Sequence, residues 1–118
     1  MKDLAPNIFR QRLLIEGFYN IKVDEDVILN FFDKLVKTLK VDTYGKAIVH
    51  HTSGKGKEMN QGYDAFRPIV DSGIYLGAWT NQKFISIIIY SCKEFNTAEA
   101  VNTTKEFWKI KEIDSLSF

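Results

Sequence analysis

The stretch of sequence that decides the fold is GIYLGAWTNQKFISIIIYSC, residues 73–92. Two apolar runs rich in Ile, Tyr and Phe lie on either side of the polar segment at residues 80–82, a pattern that predicts a β-hairpin. The second run carries isoleucine at positions 85, 87 and 89 and further apolar residues at 84, 88 and 90. Its apolar side chains therefore point to both faces, so both sides of the sheet need a cover.

The N-terminal half contains a strand and then a helix. Residues 9–19 are largely apolar and predict a first strand, in which Gly17 marks a candidate β-bulge. From Asp24 the apolar residues recur in pairs at 27/28, 31/32 and 35/36, followed by 39, which is the period of an amphipathic helix. Acidic residues at its start and lysines at 34, 37 and 40 fit the polarity of such a helix.

Three further elements complete the predicted order. Residues 43–52 predict a second strand, which ends at the polar loop SGKGK, residues 53–57, and residues 66–70 predict a third. Asn96 and Glu99 have the spacing of a capping box, and apolar residues at 98, 101, 107 and 108 suit a second helix packed on the sheet. We therefore expect one α+β domain over residues 1–118, with a largely antiparallel sheet and two helices on one face.

The second face of the sheet leads to an expectation about assembly. Its apolar side chains have no further element of the chain to cover them, and a second copy of the chain is a natural cover. We expect a homo-oligomer, with a trimer favoured and with sites at the subunit interfaces.

Bulk composition narrows the classes of function. Sixteen Lys and Arg against fifteen Asp and Glu give a formal net charge of +1, so no strong field attracts nucleic acid or an anionic membrane. The single cysteine, Cys92, excludes an internal disulfide and suits a reducing compartment. No signal-peptide pattern is present, and the most apolar run is too short to span a bilayer. We expect a soluble, cytoplasmic protein that binds neither nucleic acid nor membrane.

Metal and phosphate sites are weakly supported by the sequence. His50 and His51 are neighbours on a predicted strand and point to opposite faces, so they are unsuited to share a metal, and no metal site is predicted. The SGKGK loop superficially resembles a phosphate cradle but lacks the Walker spacing, so a flexible loop is the preferred interpretation.

Two groups of polar and aromatic residues are candidates for a site. GYD at residues 62–64 and DSG at 71–73 lie on either side of a predicted strand, and we expect them to bring a phenol, carboxylates and a hydroxyl to one end of the sheet. Taken alone, these are ordinary turn residues. Gly77 leaves a gap beside Trp79, which suits either a flat heterocycle or close sheet packing.

The segment from Gly62 to Cys92 resembles the small prokaryotic S-adenosylmethionine decarboxylases. Their core reads roughly YGVSG, then SESHLxIHTWPE, then TCG; this chain has GYD at 62–64, VDSGIYLGAWTN at 70–81 and SCK at 91–93. The spacing from Ser72 through Trp79 to Cys92 fits without a gap, and RLLIEGFY at 12–19 resembles the family's opening strand. The resemblance implies the sandwich fold of that family and S-adenosylmethionine as ligand.

The resemblance also implies a lost reaction. Those enzymes cut themselves at a Glu-Ser bond and convert the serine into a pyruvoyl group that draws electrons from the substrate. Asp71 and Ser72 stand at that bond, and Cys92 stands at the family's catalytic cysteine. The two histidines of the family pattern are replaced by Gly73 and Gly77, and glycine cannot transfer the protons that self-cleavage needs. We therefore predict an uncut chain that uses no cofactor.

Phage-encoded S-adenosylmethionine lyases look like relatives of this fold that kept the ligand and changed the reaction. They release 5′-methylthioadenosine and L-homoserine lactone. The substrate's own carboxylate attacks its γ carbon, so the protein mainly has to fold the substrate into the reactive geometry. A lyase is our leading hypothesis; if the source is a phage, its place is the cytoplasm of the infected host cell.

Residue roles follow from the resemblance. An aromatic pair would contact the adenine or the sulfonium, and a carboxylate would hold the substrate's ammonium or ribose hydroxyls. The predicted catalytic residues are Asp71 and Tyr63, and the predicted substrate-binding residues are Ser72, Gly73, Gly77, Trp79 and Cys92. Two alternatives stay open: a divergent pyruvoyl-dependent decarboxylase cut at Asp71-Ser72, and a non-catalytic ligand-binding or partner module of the same fold.

Overall fold

The hairpin predicted from residues 73–92 lies at the centre of a six-stranded sheet. The computed structural model describes residues 1–118, and all strand pairs in it are antiparallel. Its elements are β1 Gln11–Phe18, α1 Glu25–Leu39, β2 Ile48–His51, β3 Gly62–Ile69, β4 Ser72–Trp79, β5 Phe84–Ser91, α2 Thr97–Trp108 and β6 Ile113–Ser117. The strand order is β2-β3-β4-β5-β1-β6, so the predicted antiparallel α+β class is confirmed.

Both helices begin where the sequence predicts, and each has a side-chain cap at its first turn. The Asp24 carboxylate accepts a hydrogen bond from the backbone N–H of Val27, and the Asn96 side chain accepts one from that of Glu99. Such caps satisfy N–H groups that have no partner within the helix. Each helix ends at a lysine whose backbone has the left-handed conformation, Lys40 after α1 and Lys109 after α2.

One layer of apolar side chains joins the helices to the sheet. Residues Ile28, Phe31, Phe32 and Leu35 of α1 are fully buried against isoleucines and leucines from β1, β4 and β5. On α2 the buried positions are Ala100, Thr104 and Trp108, whereas Ala98, which we expected to face the sheet, is exposed. The two helices cover one face of the sheet, as predicted. Neither of them is long and apolar enough to cross a membrane.

The other face of the sheet, called the outer face here, has no covering element. Side chains alternate between the two faces along each strand, so the residues that precede and follow a buried residue point outward. Exposed apolar side chains on this face are Phe18, Ile48, Phe66, Tyr75, Tyr90 and Leu116, which are between 38% and 59% exposed. The outer face is therefore a broad apolar surface in the isolated chain.

Three expectations about the strands need correction. β3 begins at Gly62, four residues before the predicted start, and β2 covers only Ile48–His51 of the predicted residues 43–52. The sixth strand, β6, was not predicted because its sequence IDSLS has only two apolar residues, on opposite faces. It forms because β1 offers a free edge: Ile113–Ser117 of β6 pair with Leu13–Gly17 of β1.

Gly17 is not a β-bulge. It pairs in regular register with Ile85 on β5 and Ile113 on β6. A Cβ at this position would lie 2.7 Å from Cγ2 of Ile110 and 2.9 Å from the carbonyl oxygen of Glu112. The glycine is needed because the chain after α2 passes close to the strand.

Candidate functional site

A cavity of about 790 Å³ opens at the end of the sheet where β3 begins and β4 ends. Its walls come from the edge strand β2, from the loop at residues 52–60 and from the adjoining ends of β3 and β4. Known small-molecule sites span about 300–1,000 Å³, so the cavity has the size of a ligand site.

One wall of the cavity is aromatic. The indole of Trp79 donates a hydrogen bond from Nε1 to Oδ1 of Asn60, at 3.0 Å, and packs against the ring of Phe84. Gly77 lies beneath this ring, because a Cβ there would be 3.0 Å from Trp79 Cζ3 and 3.1 Å from the hydroxyl oxygen of Tyr75. Glycine at position 77 thus lets two aromatic side chains lie flat on the strand.

A carboxylate lies beside this aromatic wall. Asp64 pairs across the strands with Gly77 and accepts a hydrogen bond from the hydroxyl of Tyr75, at 3.2 Å. Burial of the phenol raises the pKa of Tyr75, and the neighbouring negative charge and hydrogen bond of Asp64 raise it further. Tyr75 therefore remains a neutral hydrogen-bond donor to Asp64 over the physiological pH range.

The second wall is the loop at residues 52–60, which is organised around the side chain of Gln61. Its Oε1 accepts hydrogen bonds from Oγ1 of Thr52 and the N–H of Gly54, each at 2.8 Å. Its Nε2 donates to the carbonyl oxygens of Lys55 and Lys57, at 2.8 and 3.1 Å. Both acceptor and both donor positions of the carboxamide are used, so the loop has a defined conformation.

The two histidines both contribute to the cavity. His50 pairs with Asp64 and His51 with Tyr63, so the two rings lie on opposite faces of β2, as we expected. Because β2 is an edge strand, residues from both of its faces line the cavity. The His51 ring packs against Tyr63, with ring centroids 4.8 Å apart, and its Nδ1 hydrogen-bonds Oγ of Ser53.

The predicted site residues form two clusters rather than one. Three of them, Tyr63, Gly77 and Trp79, line the cavity. The other four lie at the far end of β4, where Ser72 pairs with Ile69. An eight-residue strand separates its first and last residues by about 23 Å. The expectation that the segments 62–64 and 71–73 share one end of the sheet is therefore wrong, because the hairpin places Gly62 opposite Trp79.

The far cluster has a defined geometry of its own. Asp71 occupies the turn between β3 and β4 with a left-handed φ of 58°. The Ser72 hydroxyl accepts a hydrogen bond from the N–H of Cys92, at 3.0 Å. A Cβ at Gly73 would lie 2.5 Å from Cζ of Phe66, so the ring of Phe66 occupies the space that a side chain at position 73 would need.

Several cavity residues were not predicted as site residues. Asp64 lies in the candidate segment 62–64 but is not among the predicted site residues, and Asn60 is not predicted at all. Gln61 and Tyr75, which contact the lining without forming part of it, are not predicted either. The period-two alternation of a strand places Tyr75 on the same face as Gly77 and Trp79, and this signal was available in the sequence. The roles of Asn60 and Gln61 depend on contacts with other segments, which the sequence does not reveal.

Comparisons with known proteins show the family of the chain and, separately, its fold. A family model described as S-adenosylmethionine decarboxylase matches residues 15–118. The crystal structure of the adenosylmethionine decarboxylase from Aquifex aeolicus VF5 superposes with a TM-score of 0.69 and 13% sequence identity, covering 94% of this chain and 89% of that chain. At this identity the structural match establishes the fold. No curated protein sequence matches the chain significantly.

Proposed function

Because the chain belongs to the S-adenosylmethionine decarboxylase family, we propose that it binds S-adenosylmethionine in the cavity and acts as a lyase. The products would be 5′-methylthioadenosine and L-homoserine lactone. The observation that carries this proposal is that the positions of the family's two histidines are glycines whose side-chain space is filled by aromatic rings.

The pyruvoyl group of the family does not fit this chain. Its formation needs proton transfer near the Asp71-Ser72 bond. At position 73 the ring of Phe66 leaves no room for an imidazole, and at position 77 the ring of Trp79 and the hydroxyl of Tyr75 occupy the space. These contacts support an uncut chain, so the proposed reaction does not use a pyruvoyl group.

The lyase reaction makes modest demands on the protein. A carboxylate oxygen of the substrate forms a bond to its own γ carbon, the bond from that carbon to sulfur breaks, and the electron pair goes to the departing thioether. No proton is transferred, so no general base is needed. Holding the chain of the substrate in a folded conformation supplies the proximity advantage. Opposite charges are neutralised in the transition state, so exclusion of water from the carboxylate favours the step.

The cavity supplies groups for this task. The face of Trp79 suits the adenine ring or the sulfonium, the latter through cation–π attraction, and Tyr63 lines the cavity from the opposite face of the sheet. Gly77 permits close approach of the ligand to the strand. The Asp64 carboxylate, beside the indole, suits the substrate's positive groups. Asp64 thus joins the residues proposed from the sequence.

The far cluster of Asp71, Ser72, Gly73 and Cys92 can join the cavity only from another copy of the chain. Within one chain the two ends of β4 are about 23 Å apart. The apolar outer face supports association of copies, since a surface of this kind is normally covered. We propose a homo-oligomer, with a trimer favoured, in which Asp71 and Ser72 of one copy hold the polar end of the substrate bound to its neighbour.

A divergent decarboxylase is the second candidate function. The observation that favours it is the hydrogen bond between Ser72 and Cys92, which holds the family's serine and cysteine positions together. It requires the chain to be cut at Asp71-Ser72.

Incubation of the pure protein with S-adenosylmethionine, followed by mass spectrometry of the products, tests the proposal. Methylthioadenosine together with homoserine lactone is the expected result. Methylthioadenosine with homoserine in place of the lactone would indicate attack by water and contradict the mechanism. Carbon dioxide with decarboxylated substrate would instead support the decarboxylase. No product at high protein concentration would leave only the non-catalytic ligand-binding or partner module.

A further inference from the structure

The cavity carries positive and negative groups on different walls, and we infer that it selects a dipolar ligand whose carboxylate binds at Lys55 and Lys57. This inference rests on the proposed function and extends it, because it assigns the carboxylate end of the substrate. Neither lysine is among the site residues predicted from the sequence, which favours a flexible loop over a phosphate cradle for SGKGK.

Lys55 and Lys57 line the cavity without an acidic partner. The chain contains two salt bridges, Arg10 with Asp3 and Arg67 with Asp33, and neither involves the loop. Two ammonium groups at the mouth of a ligand-sized cavity favour an anionic group of the ligand.

The loop presents these lysines from a fixed backbone. The two carbonyl oxygens that accept hydrogen bonds from Nε2 of Gln61 belong to Lys55 and Lys57 themselves. Left-handed φ angles at Gly54 and Gly56 allow the chain to turn between these contacts. Gln61 therefore positions the backbone from which both lysine side chains extend into the cavity lining.

The other wall has the opposite preference. Asp64 accepts the hydroxyl hydrogen of Tyr75 and is in no salt bridge, and the indole of Trp79 lies on the same face of the sheet. A carboxylate and an aromatic face both attract cations. A ligand with a sulfonium at one end of its amino-acid chain and a carboxylate at the other matches the two walls together.

The lysines should assist binding and not the chemical step. In the proposed reaction the carboxylate loses its negative charge as it attacks, so a cation that holds it stabilises the substrate more than the transition state. Removing the lysines is therefore expected to raise KM without lowering kcat.

The test compares the variant Lys55→Met/Lys57→Met with the control Lys34→Met/Lys37→Met, whose lysines are exposed on α1. Binding is measured by calorimetry with S-adenosylhomocysteine, which has a carboxylate, and with methylthioadenosine, which has none. We expect the loop variant to bind S-adenosylhomocysteine roughly three- to tenfold more weakly, the range of two exposed ion pairs. Binding of methylthioadenosine should change less than about twofold, and the α1 control should bind both ligands as the wild type does.

Gln61→Glu tests the loop without removing a lysine. The carboxylate of the variant has no N–H to donate, so the hydrogen bonds to the carbonyl oxygens of Lys55 and Lys57 would be lost. The loop should then no longer hold the backbone of the two lysines in place. The same selective loss of S-adenosylhomocysteine binding is expected. Unchanged binding in this variant, when the double lysine variant is impaired, would overturn the positioning role of Gln61.

The outcomes separate this inference from the proposed function. An equal loss for both ligands, no loss for either, or no binding of S-adenosylhomocysteine to the wild type would overturn the inference, even if lyase products form. Tighter binding of adenosine monophosphate than of S-adenosylhomocysteine would show a phosphate site and overturn the carboxylate assignment. Selective loss without any turnover of S-adenosylmethionine would support the inference while the lyase proposal fails.

Discussion

The hydroxyl oxygen of Ser72 accepts a hydrogen bond from the backbone N–H of Cys92, with 3.0 Å between the two atoms. This bond links the first residue of β4 to the residue that follows the end of β5. By the resemblance described from the sequence, these positions correspond to the serine that becomes a pyruvoyl group and to a catalytic cysteine of the family. Here the next residue, Gly73, lies under the ring of Phe66. Position 73 therefore has no side chain that could transfer a proton, and the ring of Phe66 occupies the adjoining space.

We predict that the purified chain remains in one piece. Self-cleavage at Asp71-Ser72 needs a proton-transfer group that glycine does not supply. Intact-protein mass spectrometry should give a single species of 13.6 kDa, with the same pattern for Ser72→Ala apart from the mass of one oxygen. Two fragments in the wild type, absent in Ser72→Ala, would contradict the lyase proposal and support the decarboxylase.

Gly77→Ala should lower activity and cost a modest amount of stability. The new Cβ would lie 3.0 Å from the indole of Trp79, and moving a side chain off its rotamer costs about 0.5–1.5 kcal/mol. We expect kcat/KM for S-adenosylmethionine to fall roughly two- to tenfold. Ser86→Ala, on the residue that pairs with Gly77 across the strands, is the matched control and should retain wild-type activity. Wild-type activity in Gly77→Ala would exclude the Trp79 wall from the site.

Asp64→Asn should lower the pKa of Tyr75. Burial is the main cause of the raised value and Asp64 adds to it, so the variant should titrate at a lower pH but still above 10.0. Phenolate absorbance of each protein, minus that of its Tyr75→Phe derivative, measures this pKa. Identical midpoints with and without Asp64 would contradict the contact between the two residues.

The same pKa has a consequence for stability. The pKa is higher in the folded state, so the contribution of Tyr75 is fully present below about pH 10 and is lost as the pH rises through the folded pKa. Between pH 6 and 8 the unfolding free energies of the wild type and Tyr75→Phe should therefore change in parallel, and above pH 10 the wild type should lose stability relative to Tyr75→Phe.

Ile88→Glu should dissociate the oligomer. Ile88 lies on the outer face of β5, between Leu14 and Tyr75 of the neighbouring strands, where a charge would oppose burial against another copy. Sedimentation velocity should show an assembly for the wild type, with three chains favoured, and a monomer for the variant. Leu4→Glu is the control, since Leu4 is 84% exposed and outside the sheet. A monomeric wild type at micromolar concentration would contradict the shared site.

Local patterns in the sequence predicted the elements that depend on residues close to one another in the chain. The helix from Asp24 and the cap at Asn96 follow from residues three or four positions apart, and the central hairpin follows from two apolar runs beside a polar turn. β3 was predicted too short because Asp64, which is depleted in strands, lies in its first half. Its carboxylate is tolerated there because it faces outward and bonds to Tyr75.

The sequence by itself determined the α+β class, the apolar outer face and the glycines at positions 73 and 77, since each depends on residue types in a local pattern. Only the tertiary structure decided which of the predicted site residues lie together. The length and register of the β3-β4 hairpin place Tyr63 and Trp79 at one end and Asp71 and Ser72 at the other. Strand pairing fixes such distances through contacts between remote segments, and the Gln61 contacts that bring Lys55 and Lys57 to the cavity arise in the same way.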